Sequence, residues 1–328
     1  MKKHSVISFF SGCGGLDLGL IGGFSYLGKQ YKKNPFKIIL SNDINEKATL
    51  TQKHNFSDIN VVCGDVTKLV ENNLPYADIL IGGFPCQDFS LAGKQRGLEV
   101  ERGNLYKAMV TALKKIKPKV FLAENVKGLL LWKNGLAINT IVNDFEECGY
   151  SVVFKLLNAA DYGVPQTRER VIIVGIRNDI KRKFKWPEPT HSNMPLLGLT
   201  KWVSVEEAIR DLEDEKIATK IPNHQYSKAK KNNGQGNKAV VANLPSPTMR
   251  AEHHGNIEFH YKLPRRLSAR EAARIQSFPD NFVFLRSTTD AYRQIGNAVA
   301  PVFAWHIAQS LLEILETKEE YDELKKCI

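Results

Sequence analysis

Short apolar runs alternate with helical stretches through the first 176 residues, and that rhythm most narrows the folds open to this chain. Val6–Phe10, Lys37–Leu40, Asn60–Val62, Ile79–Ile81, Val120–Ala123, Ser151–Leu156 and Arg170–Ile176 read as strands. Helical patterns lie at Leu16–Ile21, Glu46–His54, Leu105–Lys115 and Leu136–Cys148. Strands separated by helices build βαβ units. The expected fold class is therefore α/β, a mostly parallel Rossmann-like sheet with helices on both faces and its ligand at the carboxyl ends of the strands. Beyond Arg177 the rhythm fails. From Lys181 to about Lys262 the chain is rich in Pro, Asn, Gly and Lys, and regular helix returns at Ser268–Gln276 and Val299–Thr317. This predicts a large unit over 1–180, a smaller loop-rich domain over 181–262, and helical segments over 263–296 and 297–328.

Partners and compartment follow from charge and cysteine usage. Residues 177–274 hold 19 Lys and Arg against 11 Asp and Glu, which is +8 of the chain's formal +11. An excess gathered in one segment points to a polyanion. No run approaches the ~18 uninterrupted apolar residues of a membrane span, and no signal-peptide core follows Met1, so a cytoplasmic protein without membrane contact is expected. Cys13, Cys63, Cys86, Cys148 and Cys327 are odd in number, widely spread and never Cys-x-x-Cys, which predicts reduced thiols and no metal site.

One of these cysteines sits where chemistry collects. In Gly82-Gly83-Phe84-Pro85-Cys86 the thiol follows a strand that ends in glycines, and a nucleophilic cysteine there needs a cation or a proton acceptor nearby, because the thiolate attacks. A structural cysteine is the alternative. Phe10-Ser11-Gly12-Cys13-Gly14-Gly15-Leu16 follows the first strand and opens a helix, so its glycines let the backbone approach a ligand at a positive helix end. Its spacing is not the Gly-x-Gly-x-x-Gly of a dinucleotide fold. Asp43 ends the second strand and Asp65 the third. Each suits a helix N-cap as well as a ligand, but in series with the glycine turn they favour a nucleoside-type cofactor, with S-adenosylmethionine the natural candidate. Glu124, in Glu124-Asn125-Val126, puts a carboxyl at another strand end, where partial burial suits a proton holder. Gln166-Thr167-Arg168-Glu169-Arg170 begins the next strand, and period-two alternation predicts that Arg168 and Arg170 point the same way.

Together these segments resemble the DNA (cytosine-5) methyltransferase family of bacterial restriction-modification type. The resemblance rests on Phe10–Gly15, Gly83–Gln87, Glu124–Val126, Gln166–Arg170, Arg266–Gln276, Phe278-Pro279 and Gly296-Asn297-Ala298-Val299, in order, over about three quarters of the chain. It implies that Cys86 adds to C6 of a flipped-out cytosine, that Glu124 holds or donates the proton at N3, and that Arg170, with Arg168 beside it, contacts the O2 side of the ring. It implies S-adenosylmethionine as methyl donor and S-adenosylhomocysteine as product, with Phe10, Gly12, Gly14, Gly15, Leu16, Asp43, Ile44, Asp65, Val66, Pro85 and Asn297 at the cofactor. Residues 181–262 fall where the family keeps its target-recognition domain, and Asn297 at the cofactor implies that 263–296 is a hinge and the start of a return and that the C-terminal helix over 297–328 completes the first unit.

Double-stranded DNA is then the expected partner, with a cognate restriction endonuclease acting on the same site. Gln87–Arg102 is expected to close as a lid hinged at Gly93, Gly97 and Gly103, with Gln87, Ser90 and Arg102 on DNA. Arg250, His254 and Asn256 are the candidate base readers, since Arg pairs with guanine edges and Asn with adenine. His253 and His254 lack a third ligand at suitable spacing, so no metal is expected. The stretch Ser25–Phe36 lengthens the first helix-to-strand connection, and its lysines are expected to face solvent. Two rivals are the tRNA-methylating branch of the same family, whose Cys-Phe-Thr element is absent, and a non-catalytic DNA-binding regulator, against which the intact motifs argue.

Overall fold

The computed structural model describes residues 3–85, 105–195, 198–228, 238–250 and 258–316. Its frame is one large sheet, whose strands in chain order are β1 (His4–Phe9), β2 (Phe36–Asp43), β3 (Val61–Cys63), β4 (Ile79–Gly82), β5 (Val120–Val126), β6 (Tyr150–Asn158) and β7 (Glu169–Arg177). Across the sheet they run β3-β2-β1-β4-β5-β7-β6. Neighbours from β3 to β5 are parallel, whereas β7 runs antiparallel to both β5 and β6. Strand order reverses between β1 and β4, which is where an open α/β sheet leaves a crevice at its carboxyl edge. Phe9 is level with Gly82, and Gly82 with Ala123, so Phe10, Gly83 and Glu124 stand in the next row at that edge.

The helices are α1 (Gly15–Ile21), α2 (Glu46–Asn55), α3 (Val66–Glu71), α4 (Tyr106–Ile116), α5 (Leu136–Glu146), α6 (Val205–Ile209), α7 (Ala269–Ile275), α8 (Thr288–Asn297) and α9 (Pro301–Leu315), with shorter turns between them. Both faces of the sheet are covered. Val6, Ile81 and Leu122 share a core with α1 and α9, while Ile7, Leu80 and Phe121 share another with α4 and α5. That is why β4 reads as an unbroken apolar run: Ile79, Leu80 and Ile81 are all fully buried.

The expected return of the C-terminal helix to the first unit has a tight contact behind it. A Cβ on Gly19 of α1 would stand 2.3 Å from Ala304 Cβ of α9, so only glycine lets the two helices approach this closely. Thr288–Leu315, interrupted at 298–300, is among the described residues the stretch apolar and long enough to cross a membrane, but 83% of its most apolar window is buried inside the protein. It is a core element.

A third core joins α6, Leu212, Val240 and Met249 to α7, Phe278, Phe282, α8 and Cys13. It therefore spans the division drawn at 262/263. Two short helices in it begin at capping boxes. Ser204 and Glu207 exchange side-chain and backbone hydrogen bonds at the start of α6, and Ser287 and Asp290 do so at the start of α8. The Ser25–Phe36 stretch contains a hairpin, Phe24–Tyr26 with Lys29–Tyr31, pinned to α9 by the Trp305 Nε1 to Lys32 carbonyl bond at 3.0 Å. Lys29, Lys32 and Lys33 are exposed.

Candidate active site

One open cleft of about 1410 Å³ lies along the carboxyl edge of β1, β2, β4 and β5, and it gathers residues from Phe10–Gly15, Gly83–Gln87, Glu124–Val126, Gln166–Arg170 and Gly296–Val299. Phe10, Gly12, Leu16, Asp43, Ile44, Asp65, Val66, Pro85, Glu124, Arg168, Arg170, Arg250 and Asn297 all line it. Gly14 and Gly15 do not. A Cβ on Gly14 would stand 2.7 Å from the Phe56 ring, and one on Gly15 2.4 Å from the Val299 carbonyl, so these two glycines serve close packing behind the turn. Gly14 also takes φ +90° as the N-cap of α1. Cys86, Gln87, Ser90, Arg102, His254 and Asn256, with the hinges Gly93, Gly97 and Gly103 and His253, lie outside the described residues.

The turn after β1 is shaped by Asp43. Asp43 Oδ2 accepts the Gly12 N–H at 2.8 Å while Oδ1 accepts the Asn45 N–H at 2.8 Å. Burial pushes its carboxyl above the usual range, opposed by those backbone donors. Beside it Ile44 stands 74% exposed at the cleft wall, an apolar surface without a cover. Gly12 takes φ +56° with open space where a Cβ would be. An open backbone turn, a carboxylate at the adjacent strand end and an exposed apolar side chain make a site that fits a nucleoside. Asp65 realises the N-cap alternative. Its Oδ1 accepts the Thr67 N–H at 2.9 Å, and these contacts hold the carboxyl below its ordinary value.

At the other end of the cleft the catalytic candidates meet. Ile172 of β7 is level with Glu124 of β5, and Arg170 lies two residues earlier on the same face. Arg170 Nε consequently donates to Glu124 Oε1 at 2.8 Å, with both side chains nearly buried. Asn125 Nδ2 donates to the Phe84 carbonyl at 3.2 Å, tying the Glu-Asn-Val strand to the turn that leads into Pro85 and Cys86. Composition gives Asn125 no special role, and only its place inside the motif marks it.

Arg168 corrects an expectation. Its N–H donates to the Gln166 carbonyl at 2.9 Å, a kink that separates Gln166-Thr167 from β7 and interrupts the alternation meant to align Arg168 with Arg170. The Arg168 guanidinium instead donates to the carbonyls of Met249, Gly296 and Ala298 at 3.2, 2.8 and 3.0 Å. Burial first, and then the Arg170 charge, press its pKa well below the usual guanidinium range, with Glu124 opposing.

Cys13, Cys63 and Cys148 are free thiols, and burial pushes Cys13 up to about 12, which leaves it inert. Among the described residues no group of three His, Cys, Asp or Glu side chains is placed to hold a metal ion.

Comparison with known proteins agrees with this arrangement. The family model described as C-5 cytosine-specific DNA methylase matches residues 4–313. The chain is 40% identical over 349 residues to the Type II methyltransferase M.NgoFVII of Neisseria gonorrhoeae, covering 98% of this chain and 90% of that one. It is 37% identical over 329 residues to the Type II methyltransferase M1.ScrFI of Lactococcus lactis subsp. cremoris, covering 97% and 80%. Among solved structures, the S. pombe Dnmt2 methyltransferase superposes with a TM-score of 0.64 at 18% identity, covering 96% of this chain and all of that one, a likeness of fold.

Proposed function

The chain belongs to the C-5 cytosine-specific DNA methylase family, and on that premise we propose that it methylates C5 of a cytosine in a short duplex DNA site as the modification enzyme of a Type II restriction-modification system. The observation that carries the assignment of roles is the buried Glu124–Arg170 pair, which shares one cleft with the Gly12 turn and Pro85. S-Adenosylmethionine is the cofactor, bound against Phe10, Gly12, Leu16, Asp43, Ile44, Asp65, Val66 and Asn297, and its contribution is an electrophilic methyl carbon.

Cys86 is the nucleophile. Its sulfur forms a bond to C6, the electron pair of the C5–C6 double bond moves to C5, and Glu124 keeps N3 protonated so that the ring accepts this charge. Arg170 steadies the Glu124 carboxyl and the O2 side of the ring. Once C5 is methylated, loss of its proton returns the electron pair and expels Cys86. C5 and C6 are stacked inside a duplex, so the base must leave the helix, at a cost of roughly a few kcal/mol that phosphate and pocket contacts offset.

Residues 181–262 are the recognition segment, with Arg250 on the DNA side of the cleft. A nuclease cutting the same site in the cytoplasm would act without a stable complex. Bisulfite sequencing of plasmid from cells expressing the chain should show C5 methylation at one short repeated site. Labelled methyl transfer to tRNA but not to DNA would overturn the reading.

A further inference from the structure

Two peptide segments that line the cleft are held by one buried ring of polar contacts. On one side, Met249 donates its N–H to Gln166 Oε1 at 3.2 Å, and its carbonyl accepts from Arg168 Nη1 at 3.2 Å. On the other, the Ala298 carbonyl accepts from Arg168 Nη2 at 3.0 Å and from Gln276 Nε2 at 2.6 Å. Gln166 Nε2 closes the ring by donating to Gln276 Oε1 at 2.6 Å. Gln166, Gln276, Arg168 and Met249 are all at most 2% exposed.

Arg168, Met249 and Ala298 of this ring line the cleft, as do the residues beside them. Arg250 follows Met249, and Asn297 lies between Gly296 and Ala298, whose carbonyls Arg168 holds. Segment 246–249 is also held by the pairing of Ser246-Pro247 with Gln166-Thr167, by Thr248 Oγ1 donating to the Thr167 carbonyl at 2.8 Å, and by Met249 packing in the third core. Gly296 and Ala298 sit at the carboxyl end of α8, where the last carbonyls lack helical partners and a cation is favoured. A buried guanidinium whose two terminal nitrogens bond carbonyls while its Nε has no partner among the described residues is a costly way merely to fill space. What it supplies is a fork, and only a fork reaches both segments from one side chain.

We propose that Arg168 is a positioning residue, which through the Gln166–Gln276 ring sets the DNA-side residue Arg250 and the cofactor-side residue Asn297 in register with Arg170. This rests on the functional reading above. Arg168 touches neither the base nor the methyl donor; its loss is felt as poorer binding of both.

The test is steady-state kinetics of Arg168→Lys, which keeps the charge but cannot span the carbonyls, beside Arg170→Lys. Arg168→Lys should raise KM for S-adenosylmethionine and KM for DNA by roughly 10-fold each, the scale of a charge-assisted hydrogen bond lost on each side, with kcat changed less. Arg170→Lys should show the opposite split, a fall in kcat with both KM values near those of the wild type. At saturating DNA and cofactor, Arg168→Lys should still trap a 5-fluorocytosine duplex at close to the wild-type rate. Gln276→Met, which leaves the guanidinium untouched, should raise KM for S-adenosylmethionine in a protein with a cooperative melt, and it carries the test alone if Arg168→Lys does not fold. A fall in kcat alone, a rise in only one KM for Arg168→Lys, or an unchanged KM in Gln276→Met would overturn the proposal. Failure of the functional reading looks different: a wild-type protein that does not methylate DNA.

Discussion

Arg170 Nε lies 2.8 Å from Glu124 Oε1, and a Cβ on Gly83 would stand 3.3 Å from the second oxygen of that carboxyl. One oxygen is therefore committed to the arginine while the other faces the glycine turn that leads to Cys86. Glu124→Gln keeps the shape and removes the acid. Methyl transfer should fall by about 10²-fold, the scale for losing a positioned proton donor, while DNA affinity changes little. Equal losses in rate and in affinity would assign Glu124 to binding instead.

Asp43 has two tasks at one carboxyl, since it faces the cleft and also holds the Gly12 and Asn45 N–H groups. Asp43→Ala removes a carboxylate from the proposed cofactor site and releases the turn together. The KM for S-adenosylmethionine should rise by roughly 10-fold or more while KM for DNA stays put, as expected when a charged acceptor is lost from one ligand. Calorimetric titration with S-adenosylhomocysteine checks this without turnover.

Gly19→Ala tests the attachment of α9. The new Cβ would stand 2.3 Å from Ala304 Cβ and 2.5 Å from the Pro301 carbonyl, so the helices must separate. A loss of roughly 1–3 kcal/mol in stability is expected for overpacking of this kind. An unchanged melting temperature would mean that α1 and α9 are less tightly apposed than described.

Much of this was readable in the residues, for physical reasons. Strands buried on both faces show as plain apolar runs, so β4 and β7 were visible, and Glu124 and Arg170 met because each sits where such a run ends. What escaped was decided by geometry beyond periodicity. The kink at Arg168 is a single backbone hydrogen bond, and beyond it that side chain bonds the carbonyls of Met249, Gly296 and Ala298. α8 buries Asp290 and Gln294 beside Ala291, Tyr292 and Ile295, so its inner face mixes polar with apolar residues over only ten positions. Gly14 and Gly15 resembled ligand glycines, yet the contacts that require them come from Phe56 and Val299 behind the turn.

Two buried groups give stability a pH profile. Burial lifts Asp17 to about 7, against the opposing hydrogen bonds of Ser8 and Gln52. The folded form then holds a proton that the unfolded form has lost, so this contribution is complete below the ordinary carboxylate value and declines as pH rises toward 7. His306 is pushed down to about 3, first by burial and then by Lys29 and His191. Its contribution runs the other way, present above the ordinary imidazole value and lost as pH falls through the acid range. Melting curves from pH 4 to 8 should show Asp17→Asn with a flatter decline as pH rises toward 7 and His306→Gln with a flatter decline as pH falls. Parallel profiles for wild type and both variants would contradict the assignment.

Covalent attack by Cys86 is the central claim, and a 5-fluorocytosine duplex carrying the recognition site tests it most directly. Cys86 leaves only after a proton is removed from C5, so fluorine there should block elimination once the methyl group has moved. With S-adenosylmethionine present, the protein should stay bonded to DNA through denaturing electrophoresis, with the adduct on the peptide containing Cys86, and without cofactor most of it should vanish. Methylation of ordinary DNA with no such adduct, or an adduct on another cysteine, would contradict the account.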